Sequence, residues 1–479
     1  MLKKSLLLIS ISASLFCLKA QDVSVITNAV DVYSANPING TAKYNAMAGS
    51  MGALGGDMSS INVNPAGLGV YITNDANLTF GINNNKNTTS VAGTSLNYTI
   101  NKADFSNVGG VLSINLGDTS KWKFINIGVN YSYQSLENYS EAPGNSNIQI
   151  TKTNFADSSG NQLTGVLTYA GHAYNRYGDF DKTNFAIGAN YNNKIYLGAG
   201  LNFYNSVIHQ YDSANFDVAV DNQTFSTTMD KQYTPYDEVG NGFSANVGII
   251  AKLANQFRVG LAVETPIWWA IDRNFTEYNT NISGTTDTYT YGEDRKLSTP
   301  MKATLSAAFV LDKNFSLNVD FIQSLTKPRY KEYGPAEQEL NDFFSDNYKN
   351  SSEVRIGAEY RIKNFRIRGG YAFQSSPFDN ISILAFNDNG SISNNTYSNL
   401  ILGSRSTIGA GLGYDFKAFY VDVSYQNISS EYKSPFLQGN SAFTSGYFNS
   451  GFDVNSDAYA VSNVKNSRNN IFLTVGWRF

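Results

Sequence analysis

Few side chains in this sequence could carry out acid–base or metal chemistry. The only cysteine is Cys17, and the only histidines are His172 and His209. A Ser–His–Asp site would need a serine beside one of these histidines, yet Ser206 lies three positions from His209 and so falls on the opposite face of a strand. A single imidazole in a tyrosine-rich loop is weak support for haem ligation. We therefore expect no enzyme activity, no metal site and no cofactor.

Four arginines form a second group with possible chemistry. They fall on the same faces of two neighbouring predicted strands: Arg355, Arg361, Arg366 and Arg368. An arginine that faced lipid at the membrane midplane would cost about 2–4 kcal/mol, so in a membrane barrel these side chains would point inward. There they could bind the carboxylate of a ligand. The favoured interpretation is that they pair with acids of the lumen, such as Asp57 or Asp320.

A glycine-rich segment precedes the first predicted strand and contains a motif of four residues: Asn64, Pro65, Ala66 and Gly67. Pro65 lacks a backbone N–H and has a fixed φ, and it pushes Asn64 toward extended geometry. Glycines at Gly67 and Gly69 permit turns that other residues resist. From the residues alone, the motif is either a turn that leads into the first strand or a contact between a plug and a barrel.

Alternation of apolar and polar residues dominates the rest of the chain and predicts strands. Between Ile125 and Tyr133, apolar side chains alternate with Asn, Gly and Ser, and the last strand repeats this pattern from Ile471 to Phe479. The predicted strands are 76–84, 107–116, 122–137, 183–192, 194–212, 241–252, 256–275, 297–311, 314–330, 352–362, 364–376, 403–416, 418–433 and 468–479.

Turn lengths favour a membrane barrel over a soluble sandwich. Very short turns join strand pairs, as at 192–194 and 363–364, and long loops join their other ends, which is typical of outer-membrane barrels. The long loops lie near 140–182, 214–240, 277–296, 332–351, 377–402 and 435–467. Aromatic residues make up 14% of the chain and charged residues only 15%, and aromatics at strand ends predict girdles at the membrane interfaces. The predicted fold class is all-β: a 14-stranded antiparallel transmembrane β-barrel.

The two ends of the chain indicate export to the outer membrane of a Gram-negative bacterium. Residues 1–20 have the basic start, apolar core and small cleavage-site residue of a signal peptide. The terminal Phe479 resembles the signal read by the barrel assembly machinery. Residues 21–75 lack sustained alternation, and fourteen strands enclose a lumen wide enough to be filled. We therefore expect 21–75 to form a hatch inside a barrel made by residues 76–479.

The segment from Gly40 to Gly69 resembles the hatch of FadL-type outer-membrane transporters. Members of that family carry an Asn-Pro-Ala-Gly motif, here Asn64 to Gly67, after a Gly/Ala-rich stretch with an acidic residue, here Asp57. The resemblance implies a fourteen-stranded barrel closed by an N-terminal hatch. It also implies passive uptake of long-chain fatty acids or other hydrophobic molecules, with release sideways into the bilayer through a gap at a kinked third strand. The third predicted strand here, 122–137, holds Gly128 but no proline to mark a kink.

In that family the outer loops take up the ligand first in a hydrophobic groove. The corresponding loops here, 214–240 and 277–296, offer eight aromatic residues: Phe216, Phe225, Tyr233, Tyr236, Phe275, Tyr278, Tyr289 and Tyr291. Exposed aromatics in such number bind something or pack on one another. Ligand binding and a loop cap therefore both remain open.

Two other functions fit the sequence less well. One is a surface adhesin whose long loops bind a partner and whose lumen does not conduct, and the other is a general aqueous porin. A net charge of −4 without a basic block argues against a nucleic-acid partner. We expect a monomer whose partners are a hydrophobic small molecule and the lipid of the outer membrane.

Overall fold

A computed structural model describes residues 23–156, 159–281, 284–312, 314–439 and 445–479. The predicted signal peptide, residues 1–20, lies outside the described residues. Within these ranges, no helix is both long enough and apolar enough to cross a membrane.

The chain forms a closed antiparallel barrel of fourteen strands, as the alternation predicts. The strands are β1 Asp75–Val91, β2 Thr94–Asn115, β3 Trp122–Ser135, β4 Gln162–Tyr191, β5 Ile195–Val220, β6 Tyr236–Lys252, β7 Phe257–Glu264, β8 Lys302–Leu311, β9 Phe315–Ser324, β10 Ser352–Ile362, β11 Phe365–Gln374, β12 Arg405–Asp415, β13 Phe419–Phe436 and β14 Ala460–Arg478. Each strand pairs with the next, and β14 pairs with β1 from Asp75↔Arg478 to Ser90↔Asn463. Closure removes the free sheet edges that lipid could not hydrogen-bond.

The two faces of the barrel wall differ in polarity. Large apolar side chains stand exposed on the outside, among them Leu112, Ile127, Leu201, Leu261, Ile356, Leu412 and Leu473. Polar side chains point inward and are fully buried, among them Asn107, Asn130, Asn202, Asn318 and Thr474. Because successive residues of a strand face opposite sides, one alternating sequence supplies both a lipid-facing band and a polar lumen.

The lumen is filled by the N-terminal residues. α1 spans Val23–Asn28 and continues as a π-helical turn, Ala29–Tyr33. After a non-helical stretch, α2 spans Ala42–Ala46, and two 3₁₀ helices follow at Met58–Asn62 and Pro65–Val70. We call residues 23–34 the N-terminal segment and residues 40–70 the lower hatch.

The outer connections contain much more strand than the sequence pattern predicts. The predicted loops 140–182, 214–240 and 277–296 are wrong as loops, since β4 begins at Gln162 and β5 runs to Val220. The added outer strands are Asn138–Pro143, Gln149–Ala156, Gln223–Lys231, Trp268–Thr280, Thr286–Ser298, Arg329–Tyr330, Ile381–Phe386, Ile392–Tyr397, Tyr447–Phe448 and Asp453–Val454. Most of these strands leave the lipid band and need no apolar face, so periodicity misses them. A helix, α3 Pro335–Asn347, lies among them.

Two predicted strands are divided by prolines. The predicted strand 256–275 is split at Pro266 into β7 and the outer strand Trp268–Thr280. The predicted strand 297–311 is split near Pro300, so β8 begins only at Lys302. Proline has no N–H to donate to a β-ladder, and each break therefore falls where the sheet changes partners at the top of the barrel.

Candidate functional site: a filled lumen with a gap in its wall

The Asn-Pro-Ala-Gly motif lies against the wall of the barrel. Asn64 has extended backbone, φ −150°, and its side-chain oxygen accepts a hydrogen bond from the N–H of Ala66 at 3.0 Å. Its amide group donates to the carbonyl of Gly52, at 2.8 Å, and to that of Ile249 in β6, at 3.3 Å. Pro65 starts the 3₁₀ helix, where a missing N–H costs nothing. The motif thus caps a helix of the lower hatch and also contacts the barrel.

Glycines in the wall let the hatch backbone approach directly beneath this motif. They lie on four neighbouring strands, β4 to β7: Gly188, Gly198, Gly248 and Gly260. A methyl group at Gly198 would collide with the backbone of Pro65, and one at Gly188 would come within 2.6 Å of the Gly69 nitrogen. Real Cβ atoms do not approach so closely, so the lower hatch rests on bare backbone here.

A second group of glycines receives α2 on another arc of the wall. They are Gly357 in β10, Gly370 in β11 and Gly409 in β12. A Cβ at Gly409 would lie 2.5 Å from the carbonyl oxygen of Ala46, and one at Gly357 would lie 2.7 Å from that of Met47. The lower hatch is therefore held between two glycine seats, which we define as these two groups of wall residues.

Asp57 and Asp320 hold the hatch together instead of pairing with the predicted arginines. Asp57 accepts hydrogen bonds from the Ser59 N–H at 2.9 Å and from the Thr41 hydroxyl at 2.8 Å. Burial raises the pKa of Asp57, although Lys43 and these hydrogen bonds act in the opposite direction. Asp320, in β9, accepts from the backbone N–H of Met51 at 2.9 Å.

Three of the four predicted lumen arginines are held in ion pairs with acids of the wall. Arg355 is fully buried and pairs with Glu353 at 2.7 Å. Arg368 bridges Glu359 and Asp422, both at 2.6 Å.

The other two arginines lie nearer the short turns. Arg366 pairs with Glu359 at 3.1 Å and also with Asp415. Arg361 donates to the carbonyl of Lys363 at 2.8 Å, within the turn between β10 and β11. Only Arg366 and Arg368 thus share an acid, Glu359, while Arg355 pairs separately with Glu353 and Arg361 lies in a turn.

The N-terminal segment is held in the outer half of the lumen by side chains. Both carboxylate oxygens of Asp31 are occupied, one by Arg176 at 2.6 Å and the other by Arg405 at 2.8 Å. Burial would raise the pKa of Asp31, but Arg176 and Arg405 hold it well below its usual value. The Tyr33 hydroxyl donates to Glu238 at 2.5 Å, and the Trp269 indole donates to the Tyr33 carbonyl at 3.1 Å.

Four of the eight predicted groove aromatics lie in a row, which we call the aromatic ladder. Tyr233, Phe275, Tyr291 and Tyr289 follow one another with ring centroids 5.5, 6.1 and 6.4 Å apart. Tyr289 and Tyr291 are exposed, which leaves their rings open to solvent above the barrel.

The other four groove aromatics lie elsewhere. Phe216 is fully buried in a core of the outer strands, and Tyr278 is stacked on Phe448 at 5.7 Å. Tyr236 is buried and donates to Gln210 at 2.6 Å beneath the N-terminal segment. Phe225 is exposed near the tip of another hairpin. Only half of the predicted groove residues thus lie together. Of the other four, three are buried in the packing of the outer strands and the N-terminal segment.

Four cavities surround the turn that joins the N-terminal segment to the lower hatch. Their volumes are about 100, 40, 20 and 10 Å³. Asn36 lines all four, so this one turn divides the remaining space of the lumen. The largest volume exceeds the space that one water molecule needs several-fold.

The largest of these four cavities lies where the barrel wall is incomplete. β2 and β3 pair only from Asn107↔Ser132 to Asn115↔Phe124. Beyond Ser132, β3 continues beside β4, while residues 94–105 of β2 pair with β1 alone among the described strands. A β-bulge in β2 at Ser106 marks the point where the two strands part. The wall therefore has a gap between β2 and the outer part of β3.

Side chains fill the gap. The amide of Asn39, in the hatch, donates to the Tyr133 carbonyl of β3 at 2.6 Å and accepts from the Ser106 hydroxyl of β2 at 2.7 Å. Further out, Lys102 forms an ion pair with Glu137 across the opening. Gly128 is not part of the gap, since it gives room to Leu68 of the hatch. No residue pattern predicts the position of the gap, because the gap results from missing pairing between two strands and not from a particular residue.

The fold is that of FadL-type outer-membrane transporters. A Pseudomonas aeruginosa FadL homologue superimposes with a TM-score of 0.52 at 13% identity, covering 92% of this chain and 98% of that one. The Pseudomonas putida toluene transporter TodX gives 0.52 at 10% identity, with 92% and 99% covered. The Ralstonia pickettii toluene transporter TbuX gives 0.50 at 13% identity, with 93% and 100% covered.

These solved structures are transporters rather than enzymes, and the resemblance seen at the hatch is confirmed at the level of the fold. No protein-family model matches the sequence, and no curated protein matches it.

Proposed function

We propose that this protein is an outer-membrane channel for the passive uptake of hydrophobic small molecules, long-chain fatty acids or similar compounds, with release sideways into the membrane. The observation that carries the proposal is the gap between β2 and β3, which lies beside the largest of the four cavities around Asn36. The fold shared with toluene transporters and a FadL homologue supports the same class of ligand.

A path straight through the barrel is disfavoured by the lower hatch. Its backbone rests on two glycine seats, and Asn64, Met51 and Ser50 make further hydrogen bonds to the wall. Opening a route to the periplasmic end would break all of these contacts together. The gap, in contrast, is crossed by side-chain contacts: the hydrogen bonds of Asn39, the ion pair of Lys102 with Glu137, the Tyr98–Tyr139 ring contact at 4.1 Å and a hydrogen bond from Asn87 to the Tyr139 carbonyl. For the same reason a general aqueous porin fits the structure less well.

Entry would begin at the aromatic ladder. Exposed rings of Tyr289 and Tyr291 offer an apolar surface above the barrel, and the row leads through Phe275 to Tyr233. An adhesin would also expose such rings, but it would have no use for a gap connected to an internal cavity. The outer-membrane location, the monomeric state and recognition of Phe479 by the assembly machinery belong to this proposal.

Blocking the gap tests the proposal. Ser106→Trp would place an indole between β2 and β3, whereas Thr99→Trp adds the same ring at an exposed position of the same strand. Uptake of a labelled long-chain fatty acid would be measured in an outer-membrane host that lacks its own fatty-acid transporter. We expect uptake to fall several-fold with Ser106→Trp and to stay unchanged with Thr99→Trp. Equal uptake by both variants, at equal amounts of heat-modifiable folded barrel, would contradict the sideways route.

A further inference from the structure

Six short turns form a ring at one end of the barrel wall. They join β2 to β3, β4 to β5, β6 to β7, β8 to β9, β10 to β11 and β12 to β13. Backbone hydrogen bonds link each turn region to the next. The Asn192 N–H donates to the Lys121 carbonyl at 2.8 Å, and the Lys252 N–H donates to that of Lys194 at 2.7 Å. The ring continues in the same way through the N–H groups of Val310, Arg361, Asp415 and Arg478. The six turns therefore lie at one level.

Every one of these turns carries a lysine, either in the turn or at the strand residue beside it. The six are Lys121, Lys194, Lys252, Lys313, Lys363 and Lys417. Lys313 lies outside the described residues, and we call the other five the lysine rim. Four of its members are exposed and Lys252 is half-buried. Ion pairs between lysines and acids of the described ranges are made by other lysines: Lys102, Lys152, Lys349 and Lys465.

Few acidic side chains balance the lysine rim. Asp118 and Asp312 are exposed in two of the turns. Asp75 and Asp415 lie near this end but are buried, and Arg478 lies 3.7 Å from the first and 3.0 Å from the second. The short-turn end of the described barrel therefore presents a surplus of positive charge.

Each lysine of the rim lies next to an apolar side chain on the outer face of the wall. These neighbours are exposed and continue the apolar band of the strands: Trp122, Ile195, Leu253, Ile362 and Phe416. A lysine can lay its methylene stem along such a surface and keep its ammonium group at the polar edge. Aromatic and basic residues together are typical of a membrane interface. The rim thus lies where lipid headgroups would meet the wall.

The distribution of the lysines favours lipid over a protein partner. A folded protein would contact one arc of the ring, whereas headgroups surround a barrel on all sides, as the lysines do. The other boundary of the apolar band does not repeat the pattern, since charged side chains of both signs lie there on the outer face: Lys86, Asp181, Asp237 and Lys465. A basic ring at one level matches the phosphates of a single leaflet.

We propose that the lysine rim is a binding surface for the anionic headgroups of phospholipids in the leaflet around the short turns. The rim selects a lipid with net negative charge, such as phosphatidylglycerol, over zwitterionic phosphatidylcholine. This inference concerns the outside of the wall. It therefore does not depend on the transported ligand or on the sideways route.

Spin-labelled lipids in nanodiscs of phosphatidylcholine around the full-chain barrel test the proposal. The immobilised fraction of labelled phosphatidylglycerol, relative to that of labelled phosphatidylcholine, gives the preference of the wall. We expect a preference of about fivefold or more in the wild type at low salt. It should nearly vanish at 1 M salt, where the screening length is about 3 Å.

Two combined variants of equal charge locate the preference. The rim variant carries Lys121→Gln, Lys194→Gln, Lys363→Gln and Lys417→Gln. The control variant removes four exposed lysines of the opposite end: Lys86→Gln, Lys296→Gln, Lys331→Gln and Lys465→Gln. We expect the rim variant to lose most of the preference and the control variant to keep it. Arginine at the four rim positions should retain the preference, since it retains the charge. Heat-modifiable mobility confirms that each variant is folded.

Three results would overturn the inference. Equal immobilisation of the two lipids by the wild type would show that the wall does not select anionic lipid, and would leave the rim to a soluble acidic partner. Equal losses in the rim and control variants would show an effect of net charge alone. A preference that survived in the rim variant would place the lipid site elsewhere on the wall.

Discussion

The lower hatch and the N-terminal segment fill the same lumen by different means. The lower hatch lays its backbone on the backbone of the wall, at two seats made of glycine. The N-terminal segment touches the wall through side chains, chiefly Asp31 with its two arginines and Tyr33 with Glu238 and Trp269. Backbone contact at glycine allows no adjustment, whereas side chains can change rotamers. The difference indicates that the lower hatch is fixed and that the N-terminal segment can move.

The largest effect should follow from adding one methyl group to a glycine seat. In Gly198→Ala, the new Cβ would collide with the backbone of Pro65, which cannot give way as a flexible side chain could. We expect loss of the native barrel, a destabilisation of more than about 5 kcal/mol, seen as absence of the heat-modifiable band after outer-membrane extraction. Gly369→Ala is the control, because the nearest atom to its Cβ would be 3.9 Å away. If the folded Gly198→Ala barrel accumulated to the same level as this control, the lower hatch would not be fixed in its seat.

Loss of the Asp31 charge should release the N-terminal segment without unfolding the barrel. Asp31→Asn leaves Arg176, which is 1% exposed, without its ionic partner. Removing one member of a buried ion pair costs about 3–5 kcal/mol. In this variant that loss weakens the binding of residues 23–34 inside the lumen. Hydrogen exchange of these residues should become faster, and that of the lower hatch should not. Glu332→Gln, which breaks an exposed ion pair with Arg329, should leave the hydrogen exchange of both regions unchanged. If Asp31→Asn accelerated exchange equally in the N-terminal segment and the lower hatch, the proposed difference between the two regions would be wrong.

Acid should reproduce part of that release. The pKa of Asp31 lies well below its usual value in the folded protein, so its contribution to stability is complete above about pH 4 and fades as the pH falls further. Exchange in residues 23–34 should therefore speed up below about pH 4 in the wild type. The Asp31→Asn variant should lack this component of the pH dependence. An unchanged pH profile in that variant would assign the acid response to another group.

The smallest effect is expected at the aromatic ladder, which belongs to neither part of the plug. Tyr289→Ala removes one ring contact, that with Tyr291, worth about 0.5–1.5 kcal/mol, from the exposed end of the row. We expect less than about a tenfold rise in the fatty-acid concentration that gives half-maximal uptake, with the hydrogen exchange of both plug regions unchanged. Phe225→Ala, at an exposed ring outside the ladder, is the matched control. Equal effects of the two variants would argue against a role of the ladder in capture.

Local sequence patterns were sufficient to predict the fold but only part of the candidate site. All fourteen strands were predictable because each spans the lipid band, and lipid on one side with a filled lumen on the other imposes alternation within every strand. The outer extensions were not predictable, since residues such as Asn84 and Lys86 in β1 face water and need no apolar partner. The Asn64 motif was visible as a sequence, but its glycine seats lie on strands more than a hundred residues away. Asp31 gave no signal, because Arg176 and Arg405 meet it only through the closed barrel.

The seam at which the first and last strands meet also involves the hatch. Thr79 of β1 and Thr474 of β14 share a hydrogen bond of 2.7 Å, and the backbone N–H of Ala42 donates to the same Thr474 hydroxyl at 2.7 Å. The lower hatch, held between the two glycine seats, could not enter the lumen after the barrel had closed. During folding, the barrel wall must therefore close around a hatch that is already in place. The pairing of β1 with β14 and the blocking of the lumen are then a single step.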